Sequence, residues 1–148
     1  MIKARFNIDK LFEGVYEKVE IITDTVKDAI QMACLEVTKN AKGLDTYKDQ
    51  THYLRSSIGF VIYDHGEKVA EKFTSSGGTK GNEGVAEGQR IAAEAAAQYP
   101  NDIVGVIVAA ADYALYVESK GYDVITGPCN ELNAILEKYL RIAIEELR

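Results

Sequence analysis

The strongest constraint on this chain is the apolar period in its first third. Ile8, Phe12, Val15, Val19, Ile22, Val26, Ala29 and Ala33 recur at steps of four and three, the spacing that lines one face of an α-helix. Asn7 or Asp9 is placed to cap its start, Lys39 and Lys42 lie near its end, and Gly43 follows. A helix over 7–39 has about 30 residues and a length of roughly 45 Å. A compact domain of this size is little wider than about 30 Å. Two outcomes stay open: the helix breaks, at Gly14 or within the β-branched "VEIITDTV", or it projects beyond its own core.

The period then changes. In "LRSSIGFVIYD", Leu54, Ser56, Ile58, Phe60 and Ile62 alternate with Arg55, Ser57, Gly59, Val61 and Tyr63, which predicts a strand. "DHGE" (64–67) carries turn chemistry and "KVAEKF" returns as a more polar strand, so a hairpin is expected. "TSSGGTKGNEG" (74–84) has the composition of a mobile loop. Its Thr79-Lys80-Gly81 order is the reverse of the Gly-Lys-Ser/Thr of a phosphate loop. The alanine-rich stretch to Pro100 predicts a helix over about 84–98. "DIVGVIVAAA" is apolar on both faces and reads as a central strand. Asp112 and Gly121 bracket a short helix, "YALYVESK", with Tyr113, Tyr116 and Val117 along one face. "YDVIT" is a short extended piece, and Gly127-Pro128 opens a last amphipathic helix. The expected fold is one α+β domain over 1–148. It has a long N-terminal helix, a small, mostly antiparallel sheet with an inserted helix, and a C-terminal helix packed on the sheet.

Charge and composition narrow the function. Seventeen Lys and Arg against 23 Asp and Glu give a net charge of −6, which disfavours a surface that coats or reads nucleic acid. The apolar runs are too short to span a bilayer, and "MIKARFNIDK" lacks the apolar stretch of a secretory signal. Cys34 and Cys129 have no second Cys or His at ligand spacing and read as small hydrophobes. Among His52, His65, Asp64, Asp112, Glu118 and Cys129 no spacing assembles a catalytic set. On one strand the two histidines stand about 40 Å apart. The pairs Glu17-Glu20 and Glu145-Glu146 fall on amphipathic helices as solvated faces. No metal and no cofactor is expected. The nine tyrosines suit interfaces as well as core edges.

Two segments together resemble a known family. "THYLRSSI" (51–58) resembles the TG-x-LR-x-S entry to the first strand in the tail-completion, or neck, proteins of long-tailed bacteriophages, with His52-Tyr53 where the family has a glycine before the Leu-Arg pair. "YALYVESKG" (113–121) is similar to the family's YA-x-YVE-x-G signature. The resemblance marks Leu54, Arg55, Ser56, Tyr113, Tyr116, Val117, Glu118 and Gly121. It implies a non-enzymatic α+β protein of the head–tail junction or tail terminus, found in the virion and, during assembly, in the host cytoplasm. The implied partners are copies of itself in a ring, with six as the number the family suggests, and phage connector or tail proteins. The candidate interface is the seam Phe12, Val15, Val19 and Ile22, set against Leu132, Leu136, Tyr139 and Leu140 of the same or a neighbouring subunit. Two readings from other classes stand beside it: a small cytoplasmic enzyme with a carboxylate site around Glu118 and Asp112, and a prophage-encoded host-binding module.

Overall fold

A computed structural model describes residues 8–147. Helix α1 (Ile8–Lys42) leads through a one-turn helix α2 (Tyr53–Ser56) into strands β1 (Ile58–Asp64) and β2 (Glu67–Phe73). Helix α3 (Gly81–Ala96), strand β3 (Ile103–Ala109), and helices α4 (Ala114–Ser119), α5 (Thr126–Asn130) and α6 (Leu132–Glu146) follow. This is the expected α+β class, with the helix α3 inserted between the hairpin and the third strand. The strand order is β2-β1-β3 and both pairings are antiparallel.

The hairpin turns on His65 and Gly66, at φ 49° and 84°. Two positive φ angles in succession match the right-handed twist of the flanking strands. Strand β1 then separates two layers. Phe60 and Ile62 pack on Ile30, Cys34 and Leu35 of α1. Val61 points the other way, onto Ala92 and Ala96 of α3. Helices therefore cover both faces of the sheet.

Several elements differ from the sequence reading. The strand does not begin at Leu54: the Asp49 carboxylate accepts the Arg55 amide (2.8 Å) and His52 turns at φ 61°, so 53–56 closes as a helical turn. The central strand is β1, not 103–109. Among the described residues strand β3 pairs only with β1, at the edge of the sheet, and most of its residues are half-buried. The loop after β2 is shorter than 74–84, because residues 81–84 already belong to α3. It is also tethered, through Ser76 N–H to the Ser56 hydroxyl (2.8 Å) and Lys80 N–H to the Thr51 carbonyl (3.0 Å). No strand forms over 122–126, and the last helix is split at Glu131 into α5 and α6.

Helix α1 is continuous across Gly14 and "VEIITDTV". Within it the Thr25 hydroxyl donates to the Ile21 carbonyl (2.7 Å). Asn7 lies outside the described residues, as do the side chains of Ile8, Asp9 and Phe12. The second half of α1 carries its buried residues, the apolar Ala29, Ala33, Cys34, Val37 and Ala41 and the polar Thr38. The first half projects. Helix α6 lies along α1 and not mainly on the sheet. Leu132 and Leu136 face Ile30, Ala33 and Cys34 across a cavity of about 300 Å³ that reaches Gly105 and Ile107.

Close packing of α3 depends on a stripe of small residues, Gly81, Gly84, Gly88, Ala92 and Ala96, all buried. A Cβ at Gly84 would run into the Tyr53 carbonyl, and one at Gly88 into the Phe73 ring and the Ser57 carbonyl. Gly14, in the projecting half of α1, has nothing within 4 Å of such an atom. The same change is therefore expected to have opposite signs. Gly14→Ala should stabilise the chain by about 0.5–1 kcal/mol through helix propensity, and Gly84→Ala should destabilise it by about 1–3 kcal/mol through overpacking. Urea unfolding of the two variants checks both signs.

Candidate functional site

The first signature segment forms a junction. Leu54 is buried with Ala41, Ile58, Ala111, Ala114 and Val124. Arg55 reaches back along the preceding loop, where Nη2 donates to the Leu44 carbonyl (2.8 Å) and the guanidinium lies 5.3 Å from the centre of the Tyr47 ring. Ser56 and Ser57 are both fully buried. The Ser56 hydroxyl accepts the Ser76 amide from the loop before α3. The Ser57 hydroxyl donates to the Leu54 carbonyl (2.7 Å) and accepts the Ala111 amide (3.0 Å), and its carbonyl accepts the Ala110 amide (3.3 Å). Four chain segments meet at these residues. Ser57 is the member that sequence reasoning passed over; its place as the last residue of the LR-x-S spacing was the available signal.

The second segment closes a corner. Gly121 stands at φ 88° just past α4. The Gly121 amide bonds to the Glu118 carbonyl (2.9 Å) and the Tyr122 amide to the Val117 carbonyl (3.4 Å), the paired bonds of a left-handed helix stop. The Glu118 carboxylate then bridges to the start of α5. Oε1 accepts the amides of Val124 (3.2 Å), Ile125 (2.8 Å) and Thr126 (2.9 Å), and Oε2 accepts the Thr126 hydroxyl (2.7 Å). Burial pushes its pKa up, but the bonds from Ile125, Thr126 and Val124 outweigh burial and hold it below the ordinary value. Asp123 takes the Gly127 amide (3.0 Å), and its own carbonyl accepts the Thr46 hydroxyl.

The other candidates are dispersed. Asp112 is exposed at the entry to α4, while the Glu118 carboxylate faces 124–126. His65 is at the hairpin tip, where Nδ1 meets Asp64 Oδ1 (2.6 Å), and Lys27 meets Oδ2 (3.1 Å). His65 and Lys27 together hold the Asp64 carboxyl below its usual range. His52 is at the opposite end of β1. Cys34 and Cys129 line the cavity beside Leu132 and Leu136. Burial, and secondarily Cys129, raise the Cys34 thiol to about 11; burial raises Cys129 as well. Both thiols therefore stay protonated at neutral pH. Glu17, Glu20, Glu145 and Glu146 are exposed. Among the described residues no group of three or more His, Cys, Asp or Glu side chains gathers as metal ligands. No described helix is long and apolar enough to cross a membrane.

The candidate interface residues divide. Val15, Val19 and Ile22 are exposed at 51%, 54% and 54%. Leu132 and Leu136 face the second half of α1 in the same chain, not the first, and the Tyr139 hydroxyl donates to Glu36 there (2.6 Å). Leu140 is half-buried. The tyrosines on α4 are not the helix's inner face. Ala114 is buried and Val117 packs on the core, while Tyr116 and Leu115 are 63% and 79% exposed. The shift follows from the length of α4: in six residues only one edge touches the core. Tyr113 is partly covered, its ring centre 6.2 Å from that of Tyr53.

No family model matches the chain, and neither a curated protein nor a solved structure matches it.

Glu118→Gln keeps an acceptor for the 124–126 amides and should retain most of the stability. Glu118→Ala leaves those donors without a partner and should cost about 1–3 kcal/mol. Because the folded pKa lies below the unfolded value near 4.5, the stabilisation by the ionised group is present above that value and lost as pH falls through the folded pKa. Denaturant unfolding from pH 7 to pH 3 should thus show a shallower acid loss for Glu118→Gln than for the parent chain.

Proposed function

We propose that this is a structural protein of a long-tailed bacteriophage or prophage, of the tail-completion type, at the head–tail junction or tail terminus. In this reading it works by binding copies of itself and neighbouring ring proteins. One observation carries the reading. The first half of α1 stands clear of the chain's own core and presents Val15, Val19 and Ile22, each more than half exposed, along one face. An apolar seam of that length, spaced as in paired helices, is a contact surface.

The two signature segments support the same reading through what they do. Leu54, Arg55, Ser56 and Ser57 tie the entry of β1 to three other segments. Val117, Glu118 and Gly121 lock the corner after α4. These are the tasks of residues that a family retains for shape. His52 holds a left-handed conformation at φ 61°, a backbone state that glycine adopts without cost, and glycine is what the resembled pattern has there. The Glu118 carboxylate, the centre of the rival enzyme reading, is occupied by the chain's own amides.

The test is Val15→Glu, followed by light-scattering mass and circular dichroism. Val15 is a surface residue, so the variant is expected to keep its helical signal. The parent chain should associate with rising concentration, and the variant should fall to monomer. A parent chain that stays monomeric at its highest soluble concentration, with an unfolded Val15→Glu, would sink the interface reading. Genes for a portal, a head–tail adaptor and a major tail protein should adjoin this one, and the protein should copurify with tailed particles.

A further inference from the structure

Two surfaces of opposite charge are left without a role by the contacts described so far. The first is an open groove of about 760 Å³ between the second half of α1, the end of β2 and α6. Its floor is apolar, formed by Met32, Leu35, Ile58 and the Tyr139 ring, and Met32 is 46% exposed. Its rim carries Lys39, Lys42 and Lys72. Among the described residues the carboxylate lining it is Glu36, which is already held by Lys138 (3.0 Å) and Tyr139 (2.6 Å). The Lys42 ammonium bonds the Thr74 carbonyl (2.6 Å), and burial, then Arg55 and Lys72, push its pKa down. Three cations thus crowd one groove of a chain whose net charge is −6. The buried Thr38 hydroxyl, on the same groove, has no hydrogen-bond partner among the described residues.

The second surface is the α4 corner. Leu115, Tyr116 and Tyr122 protrude there, at 79%, 63% and 51% exposure. On its Tyr113 side the neighbours are acidic. The carboxylates acting on Tyr53 and Tyr113 are Asp49, Glu83, Glu87 and Asp112. Arg90 is the opposing cation, and it is taken up by Glu87 (2.6 Å) and Glu94 (2.7 Å). Lys120 stacks over the Tyr116 ring, 5.2 Å from its centre.

We infer that the groove receives the α4 corner of a second copy of this chain. The occupant follows from charge and shape. A basic-rimmed apolar groove matches an acidic corner with protruding Leu and Tyr, and aromatic anchors seated in pockets are the usual centre of such contacts. Groove and corner are built from different residues, so the contact joins unlike patches of two copies, head to tail. Contacts of that kind close into rings or extend as filaments. The inference rests on the self-association proposed above and names two faces for it, separate from the α1 seam.

Two charge-reversal variants test it. One reverses the corner, Asp112→Lys with Leu115→Arg. The other reverses the groove, Lys39→Glu with Lys72→Glu. All four side chains are exposed, so circular dichroism should show parent-like folding. In sedimentation velocity each variant alone should lose at least tenfold in association relative to the parent chain, because its corner and groove then carry like charge. An equimolar mixture should recover association, since each reversed face meets a complementary one on the other variant. Salt gives a readout that needs no variant: association of the parent chain should weaken several-fold between about 0.05 and 0.5 M salt. Variants that associate like the parent chain, a mixture that stays dissociated, or association indifferent to salt would each overturn the groove–corner contact while leaving self-association through α1 standing. A parent chain that remains monomeric throughout would remove both.

Discussion

Two buried serine hydroxyls organise this protein. Ser56 and Ser57 sit where the chain passes from the α2 turn into the central strand, fully buried, where a polar group left unpaired is costly. Each hydroxyl therefore has to find its partner within the protein. Ser56 finds the amide of the loop that delivers α3, and Ser57 finds the amide that follows β3. Because Ser57 also takes the Ala110 amide on its carbonyl, the exit of β3 is fixed against the entry of β1. The register of the sheet, the approach of α3 and the starting point of α4 all depend on this pair of residues.

From that point the rest of the architecture follows by packing. Glycine and alanine along α3 allow its backbone to close on Tyr53 and Ser57, which leaves no room for a loop or a ligand on that face. On the opposite face, α1 supplies Ala29, Ala33, Cys34, Val37 and Ala41. Small side chains there let a long helix approach a three-stranded sheet. The sheet is far narrower than the helix is long. Seven-residue strands cannot cover 35 helical residues, so the remainder stands free with its apolar seam exposed. The projection is thus a consequence of an undersized sheet, and it is also what gives the protein a surface to offer.

How much the sequence revealed can be judged residue by residue. The seam from Ile8 to Ala33 announced a helix because a 3.5-residue spacing has no other regular use. "DHGE" announced the hairpin because Gly66 accepts a positive φ. Of glycines 81, 84 and 88, the last fell in the stretch read as helix, and Gly81, read as loop, was misleading. Glycine-rich composition suggests a loop, yet their three- and four-residue spacing is that of one helix face, and only the neighbouring backbone explains why that face must lack side chains. The 103–109 strand misled for a related reason. Apolar residues on both faces report coverage above and below, which β3 has in part, and carry no information about whether a further strand lies alongside.

Local order, then, was determined by the sequence alone: the helix period, the turn chemistry, the left-handed stop at Gly121 and the α+β class. These depend on a residue and its near neighbours in the chain. What the tertiary structure decided are the pairings between distant segments. They include the Glu118 carboxylate on the 124–126 amides, Ser57 on Ala111, the second half of α1 as the site for α6, and a groove in which lysines from α1 and β2 converge. None of these has a period or a spacing, because each is set by where the packed core brings two faces together. That is also why the exposed half of α1 was an open question in the sequence: whether a seam is covered depends on the width of the sheet beneath it.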